Sequence, residues 1–183
     1  KKEKNLIYSK NFDFIFSFRS HIIINIKKIN KNCIPINFHP GPPEYRGIGC
    51  INFALLNKER YYGATAHIMN SKTDSGKILS IIRFKIPDIF DLDKVLDETY
   101  KLQVKQFKKI VDQLLKDKVN IKNMIENNKK IRWSKKLYLK KDLVKLYNLT
   151  NNIKKYEISD LIKATLTKKF KPYFKFKNMI FKI

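Results

Sequence analysis

A short apolar run, Cys33–Ile36, leads into the fourteen residues INFHPGPPEYRGIG, Ile36 to Gly49, and this stretch restricts the fold more than any other. Pro40, Pro42 and Pro43 remove backbone donors and push their predecessors into extended conformations, so a strand entering here must end here. Asn37 and His39 are two positions apart, which puts both side chains on one face where the strand stops. The chain therefore needs a sheet with a buried strand whose exit is a stiff loop rich in hydrogen-bonding groups.

The neighbouring segments supply the rest of such a sheet. Phe12–Phe18 (FDFIFSF) is compact and aromatic, as expected of a strand buried on both faces. Ser20–Lys31 is expected to form a short amphipathic helix, with Cys33–Phe38 as the second buried strand. Gly49–Leu56 reads as a short helix. Tyr61–Met69 and Lys77–Ile86 read as strands separated by the turn-rich NSKTDSG of Asn70 to Gly76. Asp91 is an N-cap for the strongest helix, in which Leu92, Val95, Leu96, Thr99, Leu102, Phe107, Ile110, Val111 and Leu114 follow a 3.6-residue period. Asn120–Lys130 reads as a polar linker. Leu137–Leu149 and Ile158–Leu166 read as short helices, and Tyr173–Phe176 with Met179–Ile183 as a hairpin turning at Lys177-Asn178. This order gives an α/β architecture. In open α/β sheets ligands bind beyond the carboxyl ends of the strands, where both turn-rich loops are expected.

Composition closes off several classes. An apolar fraction of 43% suits a globular chain and not a disordered one. The longest apolar runs are too short to cross a bilayer, so no membrane partner is expected. Cys33 and Cys50 form no metal or disulfide pattern, which favours a reducing cytoplasm and no metal. The net charge of +24 suggests nucleic acid, yet only Arg19, Arg46, Arg60, Arg83 and Arg132 are arginines among 40 basic residues. Bidentate reading of phosphates and bases favours Arg, and Lys is scattered through every segment. No specific nucleic-acid site is expected, only attraction to polyanions at low salt.

Asp74 lies in the second turn-rich loop, followed by Ser75-Gly76. With Asn37 and His39 it would bring an amide, an imidazole and a carboxylate together. That set suits attack on an activated carbonyl: a donor for the developing oxyanion, a proton carrier, and a group that orients it. His67, within GATAHIMN, reads as structural or partly exposed, and Cys50 as packing for the helix after the loop. Trp133 reads as core, dimer contact or base-stacking platform, in that order.

The segment Asn37–Leu79 resembles the formyltransferases that use N10-formyltetrahydrofolate as one-carbon donor. The resemblance rests on Asn37, His39, Pro40, Tyr45, Arg46, Gly47, Gly63, Thr65, Asp74 and Gly76. The wording HPGPPEYRGIGC is most like that of the sugar nucleotide N-formyltransferases. The resemblance implies a Rossmann-like formyltransferase core, incomplete at the N-terminus because the family's opening strand, Gly-containing turn and first β-α units are not visible. It places a partial catalytic core at 1–119 and a C-terminal region ending in the hairpin at 120–183. It implies Asn37, His39 and Asp74 as catalytic residues and N10-formyltetrahydrofolate as co-substrate. The pterin would lie against Arg19, Ser20, His21, Ile23, Asn70, Ser71 and Thr73, largely through main chain. The amine of a nucleotide-linked amino sugar would meet Pro42, Tyr45, Arg46 and Gly47, and the hairpin would join a homodimer. The alternatives are a methionyl-tRNA formyltransferase and an inactive basic fragment with a binding role.

Overall fold

The computed structural model describes residues 2–20, 22–88, 91–118 and 120–183. Helix α1 (Lys2–Ser9) precedes β1 (Phe14–Phe18), and a single 3-10 turn at Ile26–Lys28 separates β1 from β2 (Ile34–His39). The two-residue β3 (Arg46–Gly47), α2 (Cys50–Leu56), β4 (Tyr61–Ile68) and β5 (Ile78–Lys85) follow, then the long α3 (Leu92–Lys116). The C-terminal third holds α4 (Asn120–Asn127), β6 (Leu137–Tyr138), α5 (Lys140–Tyr147), α6 (Ile158–Thr165) and the hairpin β7–β8 (Tyr173–Phe176, Met179–Lys182).

The main sheet has the order β1-β2-β4-β5. β1 runs parallel to β2, while β4 is antiparallel to both β2 and β5. One face packs under α3 and α4. There Phe16 and Phe18 of β1 meet Phe107 edge-on at 5.6 and 5.5 Å between centroids, and Phe38 of β2 does so at 5.2 Å. Burying an aromatic ring of this kind contributes about 2–3 kcal/mol, so this cluster anchors the helix to the sheet. The expectation that Phe12–Phe18 is buried on both faces is corrected. β1 is at the edge of the sheet, only Ser17 in it is buried, and Phe12 is exposed.

Asp91 caps α3 as expected, its carboxylate accepting from the Asp93 N–H at 2.8 Å. The buried stripe also takes in Gln103 and Gln106, which the apolar pattern passes over. Their amides donate to strand carbonyls, Gln103 to Phe38 O at 2.8 Å and Gln106 to Ser80 O at 3.1 Å.

Three further expectations change. Ser20–Lys31 is not a helix: Ser20 Oγ and Asn25 Oδ1 capture the N–H groups of Ile22 and Lys27, and the Ile run lacks helix propensity. Asn120–Lys130 is not a linker but mostly α4, whose Ile121 is buried and whose Met124 and Ile125 pack on the sheet. Leu137–Leu149 begins with a strand, because Leu137 and Tyr138 pair in parallel with Arg46 and Gly47 before α5 starts. A second core joins α2 to α5 and α6, with Tyr138 stacked on Phe53 at 4.0 Å. No described helix is long and apolar enough to cross a membrane.

Candidate active site

Pairing of β2 with β4 sets Asn37 opposite His67 and His39 opposite Thr65, so these four side chains share the face turned away from α3. Because β4 is antiparallel to β2, the loop after it starts at the far end of β2, where Met69 N donates to Pro35 O at 2.7 Å. It then folds back over the sheet. The two turn-rich loops therefore do not leave from carboxyl ends lying side by side, as the sequence suggested; they converge above the face.

Asp74 tops this loop with φ 42°, a left-handed conformation that Asp tolerates better than most residues. Gly76 is required behind it, since a Cβ there would lie 1.7 Å from Ile68 O. Arg46 fixes the turn: Nε donates to Asp74 O at 2.6 Å, Nη2 to Thr73 O at 2.7 Å and Nη1 to Ser134 O at 2.9 Å.

The Asp74 carboxylate lies between two imidazoles. Oδ2 is 3.3 Å from His39 Nδ1 and accepts from Gly47 N–H at 3.0 Å. Oδ1 is 3.3 Å from His67 Nε2 and 3.4 Å from Asn37 Nδ2, which also lies 3.2 Å from His67 Nε2. Each ring is tied down on its other side by a carbonyl, His39 Nε2 to Tyr45 O at 2.7 Å and His67 Nδ1 to Ile68 O at 3.0 Å. A carbonyl only accepts, so those nitrogens carry the hydrogens and the nitrogens facing Asp74 exchange protons.

Burial lowers the His39 pKa below its ordinary value, against the pull of Asp74 and the Tyr45 carbonyl. Burial acts to raise that of Asp74, but the hydrogen bond from His67, the charges of both histidines and the Gly47 N–H outweigh it and hold the carboxyl ionised. Cys50 Sγ is 3.8 Å from His39 Nε2, and burial pushes its thiol so far up that it stays protonated.

Asn37, His39 and Asp74 are thus brought together, and two residues to which the sequence reading gave other roles, His67 and Trp133, join them. His67 could have been found from strand parity, since a four-residue β2 overlap puts it beside Asn37. No sequence signal marks Trp133, which is edge-on to both imidazoles and donates from Nε1 to Gly76 O at 2.7 Å. The expected substrate contacts mostly build the loop itself. Pro42 and Tyr45 are buried, Tyr45 OH donates to Glu59 Oε1 at 2.8 Å, and the Arg46 guanidinium is committed to carbonyls. Arg19, Ser20 and Ile23 are exposed past β1, with Arg19 3.8 Å over the Tyr100 ring. Asn70, Ser71 and Thr73 are exposed in the second loop, and His21 lies outside the described residues.

Residues 25–107 match the family pattern of the formyl transferases. Over this segment the chain is similar to that family. The chain is 32% identical over 114 residues to the bifunctional polymyxin resistance protein ArnA of Wigglesworthia glossinidia brevipalpis, covering 59% of this chain and 17% of that one. It is 32% identical over 77 residues to methionyl-tRNA formyltransferase of Bacteroides thetaiotaomicron, covering 42% of this chain and 24% of the relative. The matches thus span about a quarter or less of these relatives' lengths. In fold it is similar to a 4-N formyltransferase from Francisella tularensis, with TM-score 0.76, 23% identity and coverage of 100% and 73%. It is also similar to an N-formyltransferase from Helicobacter canadensis in complex with folinic acid and dTDP-3-aminofucose, with TM-score 0.71, 20% identity and coverage of 94% and 62%. These likenesses identify the Rossmann-like formyltransferase fold.

Proposed function

We propose that this chain transfers a formyl group from N10-formyltetrahydrofolate to the amine of a nucleotide-linked amino sugar. The observation that carries the reading is the Asp74 carboxylate held between His39 and His67 beside the Asn37 amide. His39 Nδ1 and Asp74 Oδ2 hold the proton released by the attacking amine. The Asn37 amide stabilises the formyl oxygen as it gains charge. In the orientation present Asn37 Nδ2 faces Asp74 Oδ1 and His67 Nε2, and because an ionised carboxylate only accepts, Asp74 holds the amide with its donor side toward the cluster. His67 steadies Asp74 and Asn37 from across the ladder.

The donor would lie beside exposed Arg19, Ser20 and Ile23 and exposed residues 70–73, where a flat pterin finds paired main-chain donors and acceptors. The acceptor would meet the loop mainly through backbone near Gly47 and exposed Ile48, because Tyr45 and Arg46 are held within the fold. The Helicobacter canadensis structure, described with folinic acid and dTDP-3-aminofucose, supports both halves of this reading.

A second reading is formylation of methionyl-tRNA, favoured by the name of the Bacteroides relative. Incubation with formyl donor and either amino-sugar nucleotides or methionyl-tRNA, followed by mass spectrometry, separates the two. Formamide on the sugar supports the first reading; formyl-methionine supports the second; no product on either leaves a binding fragment.

We also infer a division between a partial catalytic core at 1–119 and a C-terminal region at 120–183, a cytoplasmic setting suited to two free cysteines, and a homodimer through the hairpin. Phe176, Met179, Ile180 and Phe181 are all more than half exposed on a two-stranded hairpin, which is marginal alone in water.

A further inference from the structure

Residues 131–136 connect α4 to β6, mostly without regular secondary structure, yet they are pinned to the site at three points. Trp133 Nε1 donates to Gly76 O at 2.7 Å, Ser134 N donates to Pro43 O at 2.9 Å, and Ser134 O accepts from Arg46 Nη1 at 2.9 Å. Every partner belongs to one of the two loops that assemble the site. The pins leave the indole at 81° to the His67 ring, with centroids 5.0 Å apart, and at 68° to the His39 ring, at 5.9 Å. Trp133 is itself half-buried, while His39 and His67 are each 2% exposed. The indole thus stands between solvent and the two imidazoles, with Asn37 half-buried beside them.

We propose that Trp133 is a positioning residue that keeps water from the His39–Asp74–His67 cluster, so that the formyl group passes to an amine and is not hydrolysed. The inference rests on the formyl-transfer reading above. In transfer, the amine nitrogen bonds to the formyl carbon, the bond from that carbon to donor N10 breaks, and a proton from the amine ends on N10. In hydrolysis water takes the amine's place: its oxygen bonds to the formyl carbon, the bond to N10 breaks, one of its protons ends on N10, and the formic acid formed gives its other proton to solvent to leave as formate. His39 and Asp74 would serve both attacks equally, so the choice falls to whichever nucleophile reaches them. With its N–H spent on Gly76 O, the indole offers water little to bond to and, packed across both imidazoles, fixes their planes.

The test uses Trp133→Ala, with Trp133→Leu as the bulkier replacement should the alanine variant unfold, and two readouts. The first is carbethoxylation of His39 and His67 by diethyl pyrocarbonate, followed by peptide mass spectrometry. The expected result is slow labelling in the native chain and about tenfold faster labelling at both histidines in the folded variant. The second is formate released per formyl group transferred, expected to rise about tenfold. Unchanged labelling in a folded variant overturns the proposal, as does faster labelling with an unchanged formate share. If the native chain consumes no donor, the formyl-transfer reading fails, and the labelling alone decides whether Trp133 seals the cluster.

Discussion

Asn37 and His67 stand opposite each other in the antiparallel β2–β4 ladder, and their side chains meet at 3.2 Å. Both also reach Asp74, so the site is built across a strand pair and only completed by a loop. Asp74→Asn is expected to lower single-turnover formyl transfer about a thousandfold, because the proton carrier loses its carboxylate. His67→Asn should cost about tenfold, because Asp74 keeps His39 and Gly47. Equal losses in the two variants would show that Asp74 does not act through His39.

The pH response has a definite sign. The His39 pKa is lowered in the folded chain, so the unfolded chain takes up that proton first as pH falls, at about 6.5. Stability is full above that value and declines below it as pH falls toward the folded value. The lowered Asp74 pKa adds a second loss as pH falls through and below the ordinary carboxylate range, about 4. Urea melts between pH 8 and about 2 should show a flat region and then a two-stage fall. A folded His67→Asn variant should keep the first stage and shrink the second, because His67 is foremost among the groups that hold the Asp74 carboxyl ionised. A native profile with no fall below about pH 6.5 would mean that His39 is not its source.

Gly76→Ala places a methyl where a Cβ would be 1.7 Å from Ile68 O, which the β4–β5 connection cannot accept without moving. A loss of about 2–4 kcal/mol in chemical denaturation is expected, with activity falling alongside. A variant as stable as the native chain would mean that the loop turns differently.

Arg46→Lys keeps the charge but not the planar fork that holds Asp74 O, Thr73 O and Ser134 O. The expected cost is about 2 kcal/mol, with faster hydrogen exchange at residues 73–76 and 134. If exchange there is unchanged and only the sugar KM rises, Arg46 contacts the acceptor.

Deleting residues 173–183 removes the exposed apolar hairpin. Light scattering should report a dimer for the intact chain and a monomer for the shortened one. A monomer in both cases assigns the hairpin to packing against the 3-10 turn at Leu149–Asn151, where Lys175 N already donates to Thr150 Oγ1 at 2.8 Å.

Much of the sheet could be read from β-branched runs and punctuation, because those signals are local. The Asn37–His39 spacing and the turn containing Asp74 gave most of the cluster for the same reason. What escaped depends on partners distant in sequence. α4 was hidden because Lys and Asn dilute a stripe of only Ile121, Met124 and Ile125, which becomes apolar cover once it meets β5. The edge position of β1 follows from the strand order, which no run of residues announces. The β-bulge between Ala66 and His67 shifts the β4–β5 register, and residue patterns within either strand do not reveal such a shift.

The tie between Trp133 and Gly76 joins residues 57 apart, and that between Arg46 and Ser134 joins residues 88 apart. Trp133 and Ser134 follow β1–β5 and α3 in the chain, so during synthesis these ties form only once the elements they close over have been made. During synthesis the β2–β4 ladder can exist while the cluster above it is still open to water. The chemistry of the site therefore matures last, when the C-terminal third arrives to close it.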